Sequence, residues 1–214
     1  MIATTLDPAS IEAGITHLRA ADPALARAID AVGPCTLTLE NDYYLALVDA
    51  IVSQQISIKA AASIVARVVA LCAPDATLAP RHLAAIPEEE LRAVGCSRAK
   101  AIYLKDLSTR IVEGALDLAA LSRLPDEEII AQLVAVKGIG RWTAEMFLIF
   151  SLGRRDVWPV DDLGIVIAAQ GLYALPARPK RKELLALGEP LRPYRTLAAW
   201  YLWQHRRLLL EMPS

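Results

Sequence analysis

The sequence is poor in the residues that would mark a secreted, metal-bound or strand-built protein. Its 214 residues include three cysteines, Cys35, Cys72 and Cys96, far apart and odd in number. They fit neither a disulfide framework nor a zinc pattern, so buried reduced thiols are expected. His17, His82 and His205 stand without partners at ligand spacing, and no catalytic metal follows from them. Hydrophobic residues make up 55% of the chain with only two Phe, a balance of Ala and Leu that favours a helical core over a sheet. Alternation persists nowhere, and Thr36-Leu37-Thr38-Leu39 is the one short strand candidate. Charges break every apolar run before it could span a bilayer. Met1–Asp7 lacks a basic region leading into an apolar core, so no secretory signal is expected. The net charge of −1 lacks the excess of a non-specific nucleic-acid coat. The cations are nevertheless uneven: Arg154-Arg155, Arg178, Lys180-Arg181-Lys182, Arg192, Arg195 and Arg206-Arg207 crowd the second half, where a local basic face could meet phosphates.

What is present is a succession of helix signals. Asp7-Pro8 and Asp22-Pro23 each set a cap before a proline at the first helical position. Asn41 or Asp42 opens an apolar stretch through Ile56, and Ser57 caps the next, ending near Cys72. Pro87-Glu88-Glu89-Glu90 begins a short helix stopped at Gly95, and Ser97 caps another towards Gly114. Val94-Gly95 before Ser97 reads as a degenerate hairpin turn. Pro125-Asp126-Glu127-Glu128 starts a helix that runs into Val136-Lys137-Gly138-Ile139-Gly140 and then straight into a second helix, about Arg141 to Leu152, apolar on nearly every side. Two glycines allow a tight turn and leave peptide N–H groups at a helix start, a site suited to a phosphate oxygen. Such a hairpin can grip a DNA backbone without reading its sequence. Downstream, Asp161 or Asp162 caps a helix through Gln170, and a loop at Pro176-Ala177-Arg178-Pro179 precedes the last helices, which end near Leu210.

The hairpin with Val160-Asp161-Asp162-Leu163 resembles the helix-hairpin-helix DNA glycosylases with a downstream Gly/Pro-Asp element. Three further pieces resemble the 3-methyladenine DNA glycosylase II branch, which excises alkylated bases: Ile51-Val52-Ser53-Gln54-Gln55-Ile56-Ser57, Val94 to Ala101, and Pro193-Tyr194-Arg195-Thr196 through Trp203. The likeness covers about Asn41 to Leu210. It implies an all-α fold, one glycosylase domain of two helical subdomains (about 41–153, and 1–40 with 154–214) flanking a DNA-binding cleft. Too little sequence stands ahead of Asn41 for the β-rich domain that larger members carry.

The resemblance also implies roles. A carboxylate beside the sugar C1′ stabilises the positive charge left by glycosidic cleavage and aligns water. Ungapped alignment through Trp142, Asp156 and Val157 puts it on Asp162, whereas alignment to the endonuclease III branch, with a one-residue gap, puts it on Asp161. Trp142 and Trp203, with Met146 one helical turn beyond Trp142, are the expected walls of a pocket for a flipped cationic base. Trp158 and Trp200 are expected in the core. Lys137, Gly138, Ile139, Gly140, Arg141 and Thr143 are the expected backbone-gripping hairpin, and carbonyls of Val136 and Ile139 could hold a monovalent cation bridging to phosphate. Gln54, Gln55 and Ile56 are the candidates for a minor-groove wedge.

Bifunctional relatives carry a lysine where this chain has Trp142, and the endonuclease branch carries an iron–sulfur cysteine cluster that is missing here. The expectation is a monofunctional enzyme without cofactor, a monomer acting on double-stranded DNA with alkylated bases in the cytoplasm, at the nucleoid, and away from membranes. A non-catalytic DNA clamp and a glycosylase for oxidised or mismatched bases are the alternatives.

Overall fold

The computed structural model describes residues 4–5, 7–72 and 77–211. Its helices are α1 (Pro8–Ala21), α2 (Pro23–Val32), α3 (Tyr43–Val52), α4 (Ile58–Leu71), α5 (Pro80–Ala85), α6 (Glu88–Ala93), α7 (Arg98–Val112), α8 (Asp126–Val134), α9 (Arg141–Phe150), α10 (Leu163–Leu172), α11 (Arg181–Gly188) and α12 (Arg195–Glu211). The strand candidate is real but short. β2 (Thr38–Leu39) pairs antiparallel with β1 (Thr4–Thr5), Thr4 opposite Leu39. The fold is all-α apart from that pair among the described residues. No helix among them is long and apolar enough to cross a membrane.

Side chains start most of these helices. Asp7 accepts from the Ser10 N–H, Asp22 from Ala24 and Leu25, Asp42 from Leu45, Ser57 from Ala60, Ser97 from Lys100 and Asp162 from Ile165. Each satisfies a donor that the first helical turn leaves without an internal partner. The expected helix through Ile56 stops earlier, at Val52, because Gln55 takes a left-handed backbone (φ +58°).

The chain divides into two compact units, Asp42–Phe147 and Met1–Asn41 with Leu148–Ser214, so the second division falls inside α9. In Asp42–Phe147, α3 packs on α7. Leu47, Val48 and Ile51 from α3 and Leu104 and Leu107 from α7 are inaccessible to solvent. A polar pin crosses this core: Ser108 Oγ donates to the Leu104 carbonyl at 2.6 Å, so the Tyr44 hydroxyl, 2.7 Å away, is the donor to Ser108. Burial pushes the Tyr44 phenol far up, and it stays neutral. In the other unit α12 packs on α2 and α10. Leu25, Ala28, Ile165, Ala169, Ala198, Ala199, Tyr201 and Leu202 are fully buried there. Trp158 and Trp200 are also buried, the former donating its indole N–H to the Leu184 carbonyl at 2.9 Å.

Candidate functional site

The hairpin lies between α8 and α9, and its two glycines do different work. Gly138 has φ +82°, and a Cβ there would fall 2.1 Å from the Tyr103 ring, so only glycine fits. A Cβ on Gly140 would meet nothing within 4 Å. Gly140 therefore keeps the approach to the α9 N-terminus clear, where the helix dipole favours an anion. The turn is closed by Ile139 N–H to the Val136 carbonyl at 3.1 Å and by Lys137 N–H to Asp106 Oδ2 at 3.0 Å. Val136 thus already spends one lone pair inside the turn, leaving its second as the capacity it could offer a cation. Burial pushes the Asp106 carboxyl up, but the Lys137 N–H and the Arg110 and Lys137 cations outweigh it and hold the group below its usual range.

The expected backbone-gripping side chains divide. Lys137 is well exposed, with its Nζ 3.7 Å from Asp106. Ile139 and Thr143 are buried, packed inward rather than offered to a ligand. Arg141 is bound on both sides: it makes a bidentate pair with Glu127 and donates from Nε to Glu145 at 3.1 Å. The hydrogen bond to Glu127 holds the guanidinium protonated and draws the Glu127 carboxyl below its usual range. What the hairpin presents is mainly backbone. Of the expected pocket walls on α9, Trp142 is 46% exposed at the start of the helix and Met146 is half-buried.

The wedge candidates lie in the same unit on the α3–α4 turn. Gln54 turns inward and donates its amide to the Gly138 carbonyl at 2.8 Å. Gln55 and Ile56 are exposed, and Gln55 has the left-handed backbone.

In the other unit the two aspartates separate cleanly. Asp161 is exposed and ion-paired with Arg181. Asp162 is half-buried, and its Oδ1 accepts both the Ile165 N–H of α10 at 2.8 Å and the Trp203 indole N–H at 2.9 Å. Gly164 makes this possible, since a Cβ there would lie 2.8 Å from Asp162 Oδ1 and 3.2 Å from the Trp203 ring. The Trp203 ring in turn stacks on Phe150, centroids 5.8 Å apart.

The base of α12 is fastened to the segment that precedes Asp162. Arg195 Nε donates to Asp156 Oδ1 at 2.7 Å, and the Thr196 hydroxyl donates to the Arg154 carbonyl and accepts from Val157 N–H. The basic cluster is correspondingly less of a phosphate face than its sequence promised. Arg192 and Arg195 are spent on Asp156, Arg181 on Asp161, and Arg155 sits over the Tyr194 ring.

Sequence reasoning missed Lys100, Tyr103, Asp106, Gly164 and Phe150. The first three share one stripe of α7 by their spacing of three, and Lys100 also lies in the Val94 to Ala101 piece that carries the resemblance.

Residues 48–193 match the HhH-GPD superfamily base excision DNA repair protein family, and the chain belongs to that family. It is 36% identical over 211 residues to DNA-3-methyladenine glycosylase 1 of Schizosaccharomyces pombe, covering 97% of this chain and 90% of the relative. The solved structure of a 3-methyladenine DNA glycosylase from the same yeast, in complex with abasic DNA, superposes with TM-score 0.81 at 35% identity over 94% of this chain and 99% of that one. A DNA-3-methyladenine glycosidase crystal structure from Bacillus halodurans gives TM-score 0.85 at 35% identity, over 99% of this chain and 95% of that one.

Proposed function

We propose that this chain is a monofunctional DNA glycosylase that works as a monomer inside the cell, flips alkylated bases of the 3-methyladenine and 7-methylguanine type out of duplex DNA, and hydrolyses their glycosidic bond. The observation that carries the reading is the Asp162 carboxylate. It is fixed by a helix N–H and an indole N–H on the same oxygen, which is more construction than a helix cap needs. A DNA clamp without chemistry has no use for it.

In the proposed reaction Asp162 supplies the fixed negative charge that meets the oxocarbenium character at C1′ and orients the attacking water. The departing base of a cationic alkylpurine already carries positive charge and needs no general acid. Trp203, and Trp142 on its own unit, offer indole faces that favour such a cation by about 2 kcal/mol where water is excluded. Lacking an amine at position 142, the enzyme forms no Schiff base, and the product is an intact strand with an abasic site. The hairpin holds phosphate through backbone N–H groups, with Gln55 and Ile56 presented to the minor groove.

The test is base release from methylated duplex DNA, with the bases identified by chromatography. The native chain releases 3-methyladenine, gives no strand break and leaves no borohydride-trapped adduct. Asp162→Asn lowers release by at least about a hundredfold, the scale for removing one preorganised electrostatic group, while duplex binding persists. Full activity in Asp162→Asn with loss in Asp161→Asn would move the carboxylate assignment. Duplex binding with no release by the native chain would leave only a clamp.

A further inference from the structure

The α3–α4 turn and the hairpin are joined by a bond that spans 84 residues of sequence, the Gln54 amide to the Gly138 carbonyl at 2.8 Å. A peptide carbonyl only accepts, so the orientation of the Gln54 amide is fixed, with its nitrogen towards the hairpin. Both ends of this link are braced from one helix. On α7, Lys100 Nζ donates to the carbonyls of Val52 and of Gln54 itself, each at 2.8 Å, and so closes the carbonyl end of α3. One turn on, the Tyr103 ring fills the space that Gly138 leaves open. Asp106 then accepts the Lys137 N–H. With its amide committed inward, Gln54 is not the side chain that enters DNA. Its neighbour Gln55, exposed and left-handed at φ +58°, stands at the tip.

We propose that Gln54 is a positioning residue, a latch that makes the turn and the hairpin one mechanical piece, so that Gln55 meets the base stack only as the hairpin seats on the phosphate backbone. This rests on the glycosylase reading and adds a coupling to it. The physical basis is that a short, oriented hydrogen bond between two backbone-anchored elements transmits a shift of one to the other, where a flexible contact would absorb it. Energetically, seating the hairpin and inserting the tip become one event.

Two measurements test the latch. In the DNA-free protein, Gln54→Leu keeps the bulk and removes the donor. Hairpin amides around residues 137–141 are expected to exchange roughly fivefold to tenfold faster, with amides of the Tyr44–Leu104 core unchanged. Gln54→Glu keeps the shape, offers only lone pairs when ionised, and regains an O–H donor when protonated. Its hairpin protection should return as pH falls through the carboxyl range near pH 4 to 5, which a merely space-filling residue would not show.

On duplex DNA with a tetrahydrofuran abasic site, Gln55→Ala and Gly140→Asp form a binding cycle. Their effects should be non-additive by about threefold or more in the native background. They should become additive in Gln54→Leu. Unchanged exchange in Gln54→Leu, or a cycle that Gln54→Leu leaves intact in a chain that still binds and releases bases, overturns the latch alone. A native chain that neither binds the duplex nor releases a base overturns the glycosylase reading and the latch with it.

Discussion

Trp203 brings its indole N–H within 2.9 Å of Asp162 Oδ1 while its ring lies on Phe150. The two properties of the side chain can therefore be separated. Trp203→Phe keeps an aromatic face and removes the donor, so single-turnover release should slow about tenfold or more, as expected for losing one hydrogen bond to a charged group, with little change in KM. Trp203→Ala should raise KM as well. A Phe variant with native turnover would show that the Ile165 N–H alone holds the carboxylate. At this scale the sequence was partly legible. Asp162 could be read as a helix cap, since capping is decided within three residues. In the structure it differs from Asp161 by the indole N–H of a tryptophan 41 positions downstream, which Gly164 lets close in. That contact leaves no local signature.

The same contrast holds for elements. Helices opened by Asp7, Asp22, Asp42, Ser57 and Ser97 were readable because a polar cap and the apolar spacing behind it are local. Helix α5 was not. It has six residues, no side-chain cap at Ala79, and too few turns to show a period. β2 was visible as a pattern, but its partner β1 was not, because strand pairing is a long-range choice.

The hairpin shows how such long-range contacts carry an element. Its entry is tied by Asp106, whose depressed carboxyl contributes stability above the unfolded value near pH 3.9 and loses it as pH falls through the lower folded value. Asp106→Asn should accordingly cost about 1 kcal/mol at neutral pH. The gap from the native chain should shrink below about pH 4. Urea unfolding at pH 7 and pH 3 measures both. An equal gap at the two values would mean that the contact does not depend on the charge.

For the molecule as a whole, charge and connectivity decide what the sequence could and could not announce. Three cations of the second half, Arg181, Arg192 and Arg195, are spent on Asp156 and Asp161 inside their own unit, so the near-neutral chain carries less of a basic face than its arginines implied. Connectivity is less visible still. One unit is a continuous stretch, Asp42–Phe147, whereas the other is assembled from both ends of the chain. Within the latter, the Tyr173 hydroxyl donates to Asp22 and the Tyr201 hydroxyl donates to the Gly33 carbonyl, 151 and 168 residues apart in sequence.

That arrangement sets an order of events on the ribosome. Domains usually close in the order of their synthesis, N-terminal first. Here α1 and α2 emerge before the internal unit but cover Leu18, Leu25 and Ile29 fully only after α10 and α12 have been made. The internal unit can close while the first helices are still waiting. In refolding followed by pulsed hydrogen exchange, amides of α3 and α7 should gain protection before those of α2, and simultaneous protection of α2 would show that the N-terminal helices do not wait. Until α12 leaves the exit tunnel, the nascent protein carries α1 and α2 as an uncovered apolar pair, which makes that pair the segment that most needs a chaperone.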